Sequence, residues 1–392
     1  MDYFFSDKIS ALQPSAIREI LKAASDPGVI SLAAGNPAPE AFPRAAIAAI
    51  TAEILERDPV SALQYGISEG HEPLRLAVEA MLKQRYGIGR GFDQVLITSG
   101  AQQGIDLATK VLCNEGDVVL CENPSFIGAL NTFRSHGVRL RGIDLEDDGL
   151  DLGQLEEALR TEKNARFLYL IANFNNPTGL CTSLEKRRAI YALARRRDVL
   201  ILEDNPYGDL RFAGEDIPSL KSFDEDGLVI YAGSFSKIIA PGLRVGFVCL
   251  PAAIASKMTV AKQGADVHTS ALAQMICERF LASADLDEHF RRLRDIYRRK
   301  SSLMLEAMSA SFPPSVTWTR PEGGLFLWCS LPPGADMPEF CRLAAAAGVA
   351  VVPGGAFLTR PEDHCRSFRL NFSTPPDESI IRGIALLAGL LR

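Results

Sequence analysis

Cysteine is scarce in this chain, with eight in 392 residues, at positions 113, 121, 181, 249, 277, 329, 341 and 365 and no Cys-x-x-Cys pair among them. Zinc ribbons, iron–sulfur sites and disulfide scaffolds need tighter spacing, so reduced, mostly buried thiols are expected. The five histidines (71, 136, 268, 289 and 364) contain no His-x-x-x-His, which leaves a helical zinc site unsupported. No apolar run approaches the ~18–20 residues that cross a bilayer, and Met1-Asp2-Tyr3-Phe4-Phe5 reads as neither a signal nor a transit peptide. A cytoplasmic protein is therefore expected. There is no basic excess: 42 Lys and Arg face 48 Asp and Glu, a net charge of −6. That balance argues against nucleic acid or an anionic membrane as the main partner. Repeats, low-complexity tracts, a Gly-x-Gly-x-x-Gly turn and a Gly-Lys-Ser/Thr phosphate loop are all missing, so a nicotinamide dehydrogenase or phosphate-loop enzyme has no footing.

What is present is length enough for two cores, at ~100–200 residues per domain. From about residue 92 to 250 short apolar runs alternate with helical-period segments: Val95–Thr98, Asp117–Cys121, Arg166–Ile171, Val199–Leu202, Leu228–Tyr231 and Val245–Val248. Continuous Val/Ile/Leu runs between helices indicate an α/β fold with a mostly parallel sheet covered on both faces. In such sheets ligands bind at the carboxyl ends of strands. After about 285 the pattern changes to the basic stretch Phe290–Lys300, read as a solvated helix face, and then to shorter, irregular strands. A small α+β domain is expected there, joined by the first ~45 residues.

The chemistry-bearing residues follow the apolar runs. Ser234-Phe235-Ser236-Lys237 precedes Pro241-Gly242-Leu243-Arg244, so one lysine sits between hydroxyls with a guanidinium seven residues on. An amine for Schiff-base chemistry needs access to a carbonyl, and hydroxyls with a guanidinium suit a phosphate dianion. Ser99-Gly100-Ala101-Gln102 opens a helix whose free N–H groups favour a phosphate. Asn173–Gly179 is a turn offering Asn side chains, and Glu203-Asp204-Asn205-Pro206-Tyr207 ends a strand with an acid followed by a phenol. Each alone is equally a cap, a turn or a packing residue; their order along one sheet edge is what carries weight.

This set resembles the fold-type-I pyridoxal 5′-phosphate (PLP) enzymes, specifically the class I/II aminotransferases, in the branch with 2-aminoadipate and kynurenine aminotransferases and MocR-like regulators. The resemblance runs from Ser15–Arg18 and Leu32–Pro37 to Phe368–Ser373. It implies a large PLP-binding domain over 45–285 with a seven-stranded sheet, and a small domain from 1–44 and 286–392. It also implies Lys237 as the Schiff-base lysine and later the base at the substrate Cα, and Asp204 as partner of the pyridinium nitrogen. Asn176 and Tyr207 would bond the ring oxygen and Phe126 would stack on the ring, although core packing stays open for Phe126. The phosphate would lie on Ser99, Gly100, Ala101, Gln102, Ser234, Ser236 and Arg244. Gln64–Gly70 matches a segment whose tyrosine, here Tyr65, reaches the partner subunit's phosphate, which implies a homodimer with shared active sites. Gln263–Ser270 resembles a stretch near the same site, in which His268 is equally a structural hydrogen-bonder.

For substrate, the resemblance implies Arg369 as receptor of the α-carboxylate, with Arg366 as rival. Gly35 and Asn36 would lie near the substrate, Asn36 departing from the apolar residue usual in relatives. Arg18 would touch a distal carboxylate or be a solvated helix residue. The expected reaction is ping-pong amino transfer between an L-amino acid and a 2-oxo acid. The alternatives are a PLP-dependent decarboxylase, lyase or racemase on the same fold, or a PLP-binding regulator, for which the match beginning near residue 15 leaves no room for a preceding winged helix.

Overall fold

The computed structural model describes residues 3–10 and 28–391. After a two-residue strand β1 (Ile30–Ser31), eight strands build the main sheet: β2 (Asp93–Thr98), β3 (Val118–Asn123), β4 (Arg139–Glu146), β5 (Gly149–Leu150), β6 (Ala165–Leu170), β7 (Leu200–Asp204), β8 (Val229–Ser234) and β9 (Gly246–Pro251). Their order across the sheet is β2-β9-β8-β7-β6-β3-β4-β5. Strands β8, β7, β6, β3 and β4 run parallel, whereas β9 is antiparallel to both β2 and β8. The seven expected strands are joined by an eighth, the two-residue β5, which turns back along the outer edge of β4.

Burial on both faces explains the unbroken apolar runs, since β3, β6, β7 and β8 are almost entirely inaccessible. Helices on either side complete two cores, one around Leu168, Leu170, Ile190 and Ile201, the other around Ile97, Ile105, Phe133 and Val248. Local signals set several helix starts. Asp151 accepts from Gln154 N and Ser183 accepts from Lys186 N, each capping its helix.

Three further strands, β10 (Thr317–Trp318), β11 (Phe326–Ser330) and β14 (Ser367–Asn371), form an antiparallel sheet with β13 (Val352–Pro353) at its edge. Strand β12 (Val349–Ala350) pairs in parallel with β1, which ties the segment before residue 45 to the C-terminal third. The helix Leu286–Ser311 spans the basic stretch. Arg291 and Arg298 lie in solvent, but Phe290, Leu293, Tyr297 and Lys300 are buried, and Lys300 donates to the Pro375 carbonyl at 2.7 Å. The stretch is thus amphipathic: only part of it is a solvated face. Among the described residues no helix is long and apolar enough to cross a membrane.

Candidate active site

Strand direction gathers the site. Strands β6, β7 and β8 end at one edge of the sheet, and the reversed β9 begins there, so Arg244 before β9 meets Lys237 after β8. A cavity of about 400 Å³ opens at this edge, lined by Gly35, Ala101, Gln102, Phe126, Asn176, Asp204, Tyr207, Ser234, Ser236, Lys237, Arg244 and Arg369, with Ile105, Ile171, Pro206, Pro241 and Phe326. A second cavity of about 430 Å³ lies beyond Asn205, but its lining includes no lysine; chemistry rather than volume distinguishes the first.

Lys237 sits on a turn anchored by the buried Phe235, whose carbonyl accepts from Ile239 N at 2.8 Å. Its Nζ donates to the Gly35 carbonyl at 2.8 Å. Burial, then the charges of Arg369 and Arg244, lower its pKa to about 8. At pH 7.5 such an amine is about one-quarter unprotonated, against about one in a thousand for an ordinary lysine.

Asp204 closes β7. Tyr169 donates to its Oδ2 at 2.8 Å, whereas its Oδ1 is buried with no hydrogen-bond partner among the described residues. Burial raises this carboxyl to about 7, against the hydrogen bond from Tyr169. Glu122, at the end of β3, is a second buried carboxyl; it is pushed to about 8 by burial while accepting from Ile171 N at 2.9 Å and Asn175 Nδ2 at 2.7 Å.

Arg369 lies on β14 and is only 3% exposed. Its Nη1 donates to Asn176 Oδ1 and its Nη2 to the Ala33 carbonyl, both at 2.7 Å, while Nε has no partner among the described residues. Phe326 and Phe357 flank the guanidinium at 4.2 and 4.9 Å from ring centre, an arrangement that holds a cation with little water. Burial lowers its pKa to about 10, so it stays charged at neutral pH. Tyr207 packs edge-on to Phe326 and hydrogen-bonds Asn176; burial raises its pKa.

The helix Ala101–Leu112 starts on Gly100, whose φ of +83° suits glycine and whose Cβ would lie 2.6 Å from Arg244 Nη2. Arg244 itself adopts φ +54°, and its Nη2 donates to the Ser99 carbonyl at 3.2 Å. Of the N–H groups at this helix start, that of Gly100 donates to the Thr98 carbonyl at 2.8 Å and that of Gln103 to the Gly100 carbonyl at 3.1 Å, which leaves those of Ala101 and Gln102 without an intrahelical partner. The Gln102 side chain donates to Gly128 O and Thr132 Oγ1, leaving its backbone N–H for a ligand. Ser234 Oγ accepts from Ser236 N at 3.1 Å.

Four expected positions are not among the residues lining the cavity: Ser99, Asn36, Tyr65 and Gly100, whose N–H donates to the Thr98 carbonyl at 2.8 Å. The Ser99 hydroxyl turns away from the cavity to Asp266 Oδ2 (2.6 Å), because Asp266 is held beside it by Lys262. Asn36 is exposed and offers its carbonyl to Ser373 and Thr374 rather than its side chain to the cavity. Tyr65 is 83% exposed, edge-on to His268 at 5.9 Å and outside this chain's own cavity. Arg18 lies outside the described residues. The rival Arg366 is exposed and donates to Leu331 O. Sequence reasoning did not find Tyr169, Glu122, Phe326 and Phe357. Only Tyr169 left a signal, a phenol inside an apolar run on a strand buried on both faces, where the hydroxyl needs a partner.

The donor set suits a phosphorylated pyridine aldehyde: an amine of lowered pKa, an orphaned carboxylate oxygen for a ring N–H, and a glycine-opened helix start with hydroxyls and a guanidinium. With this sheet, such a site defines a fold-type-I PLP-dependent enzyme. The family model for aminotransferase class I and II matches residues 27–385. The chain is 40% identical to the 2-aminoadipate transaminase of Thermus thermophilus over 99% of its length and 96% of the relative's. It is 39% identical to aromatic-amino-acid aminotransferase 1 of Thermococcus litoralis, over 100% and 95% respectively. The solved kynurenine aminotransferase of Pyrococcus horikoshii, in complex with PMP, superposes with a TM-score of 0.95 at 38% identity, covering 99% of this chain and 96% of that one. The chain belongs to the class I and II aminotransferases, and its cofactor is pyridoxal 5′-phosphate.

Proposed function

We propose that this aminotransferase acts on 2-aminoadipate- or glutamate-like and aromatic L-amino acids, passing their amino group to a 2-oxo acid. The observation that carries the reading is the joint lining of one cavity by Lys237, the orphaned Asp204 Oδ1 and Arg369; the names of the relatives support the substrate range. When bound, the cofactor supplies an aldehyde that condenses with amines and a protonated ring that draws electrons from the substrate Cα.

Arg369 receives the α-carboxylate through its fork, held in place by Asn176, Phe326 and Phe357. Lys237, with its lowered pKa, would take the proton from the substrate Cα and return it to the cofactor's former aldehyde carbon, on the far side of the nitrogen the two carbons share. Asp204, oriented by Tyr169, keeps the ring nitrogen protonated. Asn176 and Tyr207 hold the ring oxygen, and Phe126 covers one ring face. Backbone N–H groups at Ala101 and Gln102, with Ser234, Ser236 and Arg244, hold the phosphate, while Gly100, its own N–H on the Thr98 carbonyl, shapes the turn and Ser99 fixes it from behind. Gly35 closes the substrate side.

The chain acts as a homodimer in this reading. The exposed Val60, Leu63, Tyr65 and Ile67 cluster in one segment, and Tyr65 cannot serve its own cavity. A division into 45–285 and 1–44 with 286–392 is supported by the β1–β12 pairing. Eight free cysteines accord with a cytoplasmic location.

The test mixes purified holoenzyme with each amino acid and follows the visible band of lysine-linked cofactor and the 2-oxo acid formed. Rapid, stoichiometric 2-oxo acid with 2-aminoadipate, glutamate or aromatic amino acids is expected, and Lys237→Ala should show neither band nor turnover. Release of carbon dioxide, or no 2-oxo acid from any of these, would overturn the reading.

A further inference from the structure

A buried lysine lies behind the phosphate turn and has no part in the steps above. Lys262, in the helix Ala252–Gln263, is 0% exposed. Its ammonium donates to Asp266 Oδ1 and Oδ2 at 2.8 and 2.9 Å, to Gln103 Oε1 at 2.7 Å and to Thr269 Oγ1 at 3.0 Å. The same acceptors hold Ser99: its hydroxyl meets Asp266 at 2.6 Å and Thr269 Oγ1 at 3.1 Å, and its N–H donates to Gln103 Oε1 at 2.8 Å. With Arg244 on its carbonyl, every polar group of Ser99 is fixed. The Lys262 ammonium is fully buried while the Asp266 side chain is 26% exposed; a desolvated charge is compensated only when its acceptors are held in place, which fixes the geometry of Asp266, Gln103 and Thr269 around it.

Thr269 also faces the other way. Its carbonyl accepts from Gln274 Nε2 at 2.7 Å and lies 2.8 Å from His268 Nδ1. That contact makes Nδ1 the donor, so Nε2 is free to accept from Gly66 N at 3.2 Å. Gln274 Oε1 accepts from His71 N at 2.7 Å. The loop carrying Tyr65 is therefore suspended from two side chains that converge on one carbonyl.

We propose that Thr269, with the Lys262–Asp266 pair behind it, positions two phosphate-binding elements at once: the Ser99–Gln102 turn of its own subunit, and the Tyr65 loop that completes the partner's site. The inference rests on the PLP-dependent, homodimeric reading above. It makes His268 a positioning residue for the partner subunit's cofactor rather than for the cofactor of its own chain.

The test uses His268→Phe, which keeps a ring and loses both hydrogen bonds, and titrates cofactor-free protein with PLP while following the visible band. The His268→Phe homodimer should bind PLP at least tenfold more weakly. Differently tagged chains then give two heterodimers. With Lys237→Ala in the same chain as His268→Phe, the one lysine-bearing site takes its Tyr65 from the altered chain and should stay weak. With Lys237→Ala in the opposite chain, the lysine-bearing site takes its Tyr65 from a chain with intact His268 and should recover to within about twofold of the unaltered affinity. Thr269→Val, which removes the hydroxyl shared by Ser99 and Lys262 but keeps the carbonyl, should weaken binding when it lies in the lysine-bearing chain, and Thr269→Ser should restore it. A His268→Phe loss that follows the lysine-bearing chain, or unchanged binding in His268→Phe and Thr269→Val, overturns the proposal. An unaltered protein that gives no visible band with PLP, or that runs as a monomer on light scattering, removes the underlying reading and the proposal with it.

Discussion

Replacing Asp204 by Asn separates what this residue does to the fold from what it does for the chemistry. Its carboxyl is buried, takes one hydrogen bond from Tyr169, leaves Oδ1 without a partner, and is raised from 3.8 to about 7. An acid whose folded-state pKa exceeds its unfolded value lowers stability as pH rises, because the folded chain keeps a proton that the unfolded chain releases. At about 1.4 kcal/mol per pKa unit, the cost is roughly 0.5 kcal/mol at pH 4, about 1.5 at pH 5 and about 4 at pH 8. Asparagine never ionises. It still accepts from Tyr169, and it places an unpartnered amide beside the cavity at a pH-independent cost of about 1–3 kcal/mol. That constant cancels when variant and unaltered protein are compared at two pH values. Between pH 5 and pH 8 the Asp204→Asn chain should therefore gain about 2–3 kcal/mol relative to the unaltered one, read from urea unfolding of cofactor-free protein. Turnover of the loaded enzyme should move oppositely, falling at least ~100-fold as the ring nitrogen loses its counter-charge. A stability difference that changes by less than ~0.5 kcal/mol between the two pH values would refute the reasoning, since the carboxyl would then not be held in its raised state.

Arg369→Lys keeps a positive charge but loses the fork that meets Asn176 and Ala33, and kcat/KM for the amino acid should drop by about 10²–10³ in steady-state assays; a change below threefold would mean that another group receives the carboxylate. Gly100→Ala meets both the +83° φ and the Arg244 guanidinium, with a strain of about 1–2 kcal/mol, and should weaken PLP about tenfold by titration. Equal affinity would show that the turn is not part of the cradle. The rate at which PLP attaches to the cofactor-free enzyme should rise with pH, reach half its maximum near pH 8, where Lys237 is half deprotonated, and level off to a plateau about one unit higher. In Arg369→Gln that plateau should move upward, because one of the two charges disfavouring the ammonium is gone; an unmoved plateau contradicts the electrostatic account.

The strands buried on both faces were legible because nothing but apolar side chains fits there. Strand β4 was not singled out: Arg139, Arg141, Asp144 and Glu146 alternate with apolar residues, as an edge facing solvent allows. The groups near strand ends that line the cavity could be picked out because the parallel strands bring their carboxyl ends to one edge. Groups supplied from far along the sequence could not: Phe326 and Phe357 around Arg369, or the Gly35 carbonyl under Lys237, follow from tertiary packing alone. Ser99 shows the same limit from the other side. Its position before a helix start is plain in the sequence, but its hydroxyl is turned by Asp266, 167 residues away. The Asn36 side chain stays in solvent because its carbonyl is tied to Ser373 and Thr374.

The reversal of β9 makes the reactive end of this sheet a hairpin. Ser234 pairs directly with Gly246, and the intervening tip carries both Lys237 and Arg244. In a sheet of parallel strands alone, those two groups would be separated by a crossover helix, and any insertion in that helix would shift one against the other. Here their spacing is a local property of one short stretch of chain. A change of length in the strands and helices on the substrate's side of the cavity would therefore leave the separation of these two cations untouched.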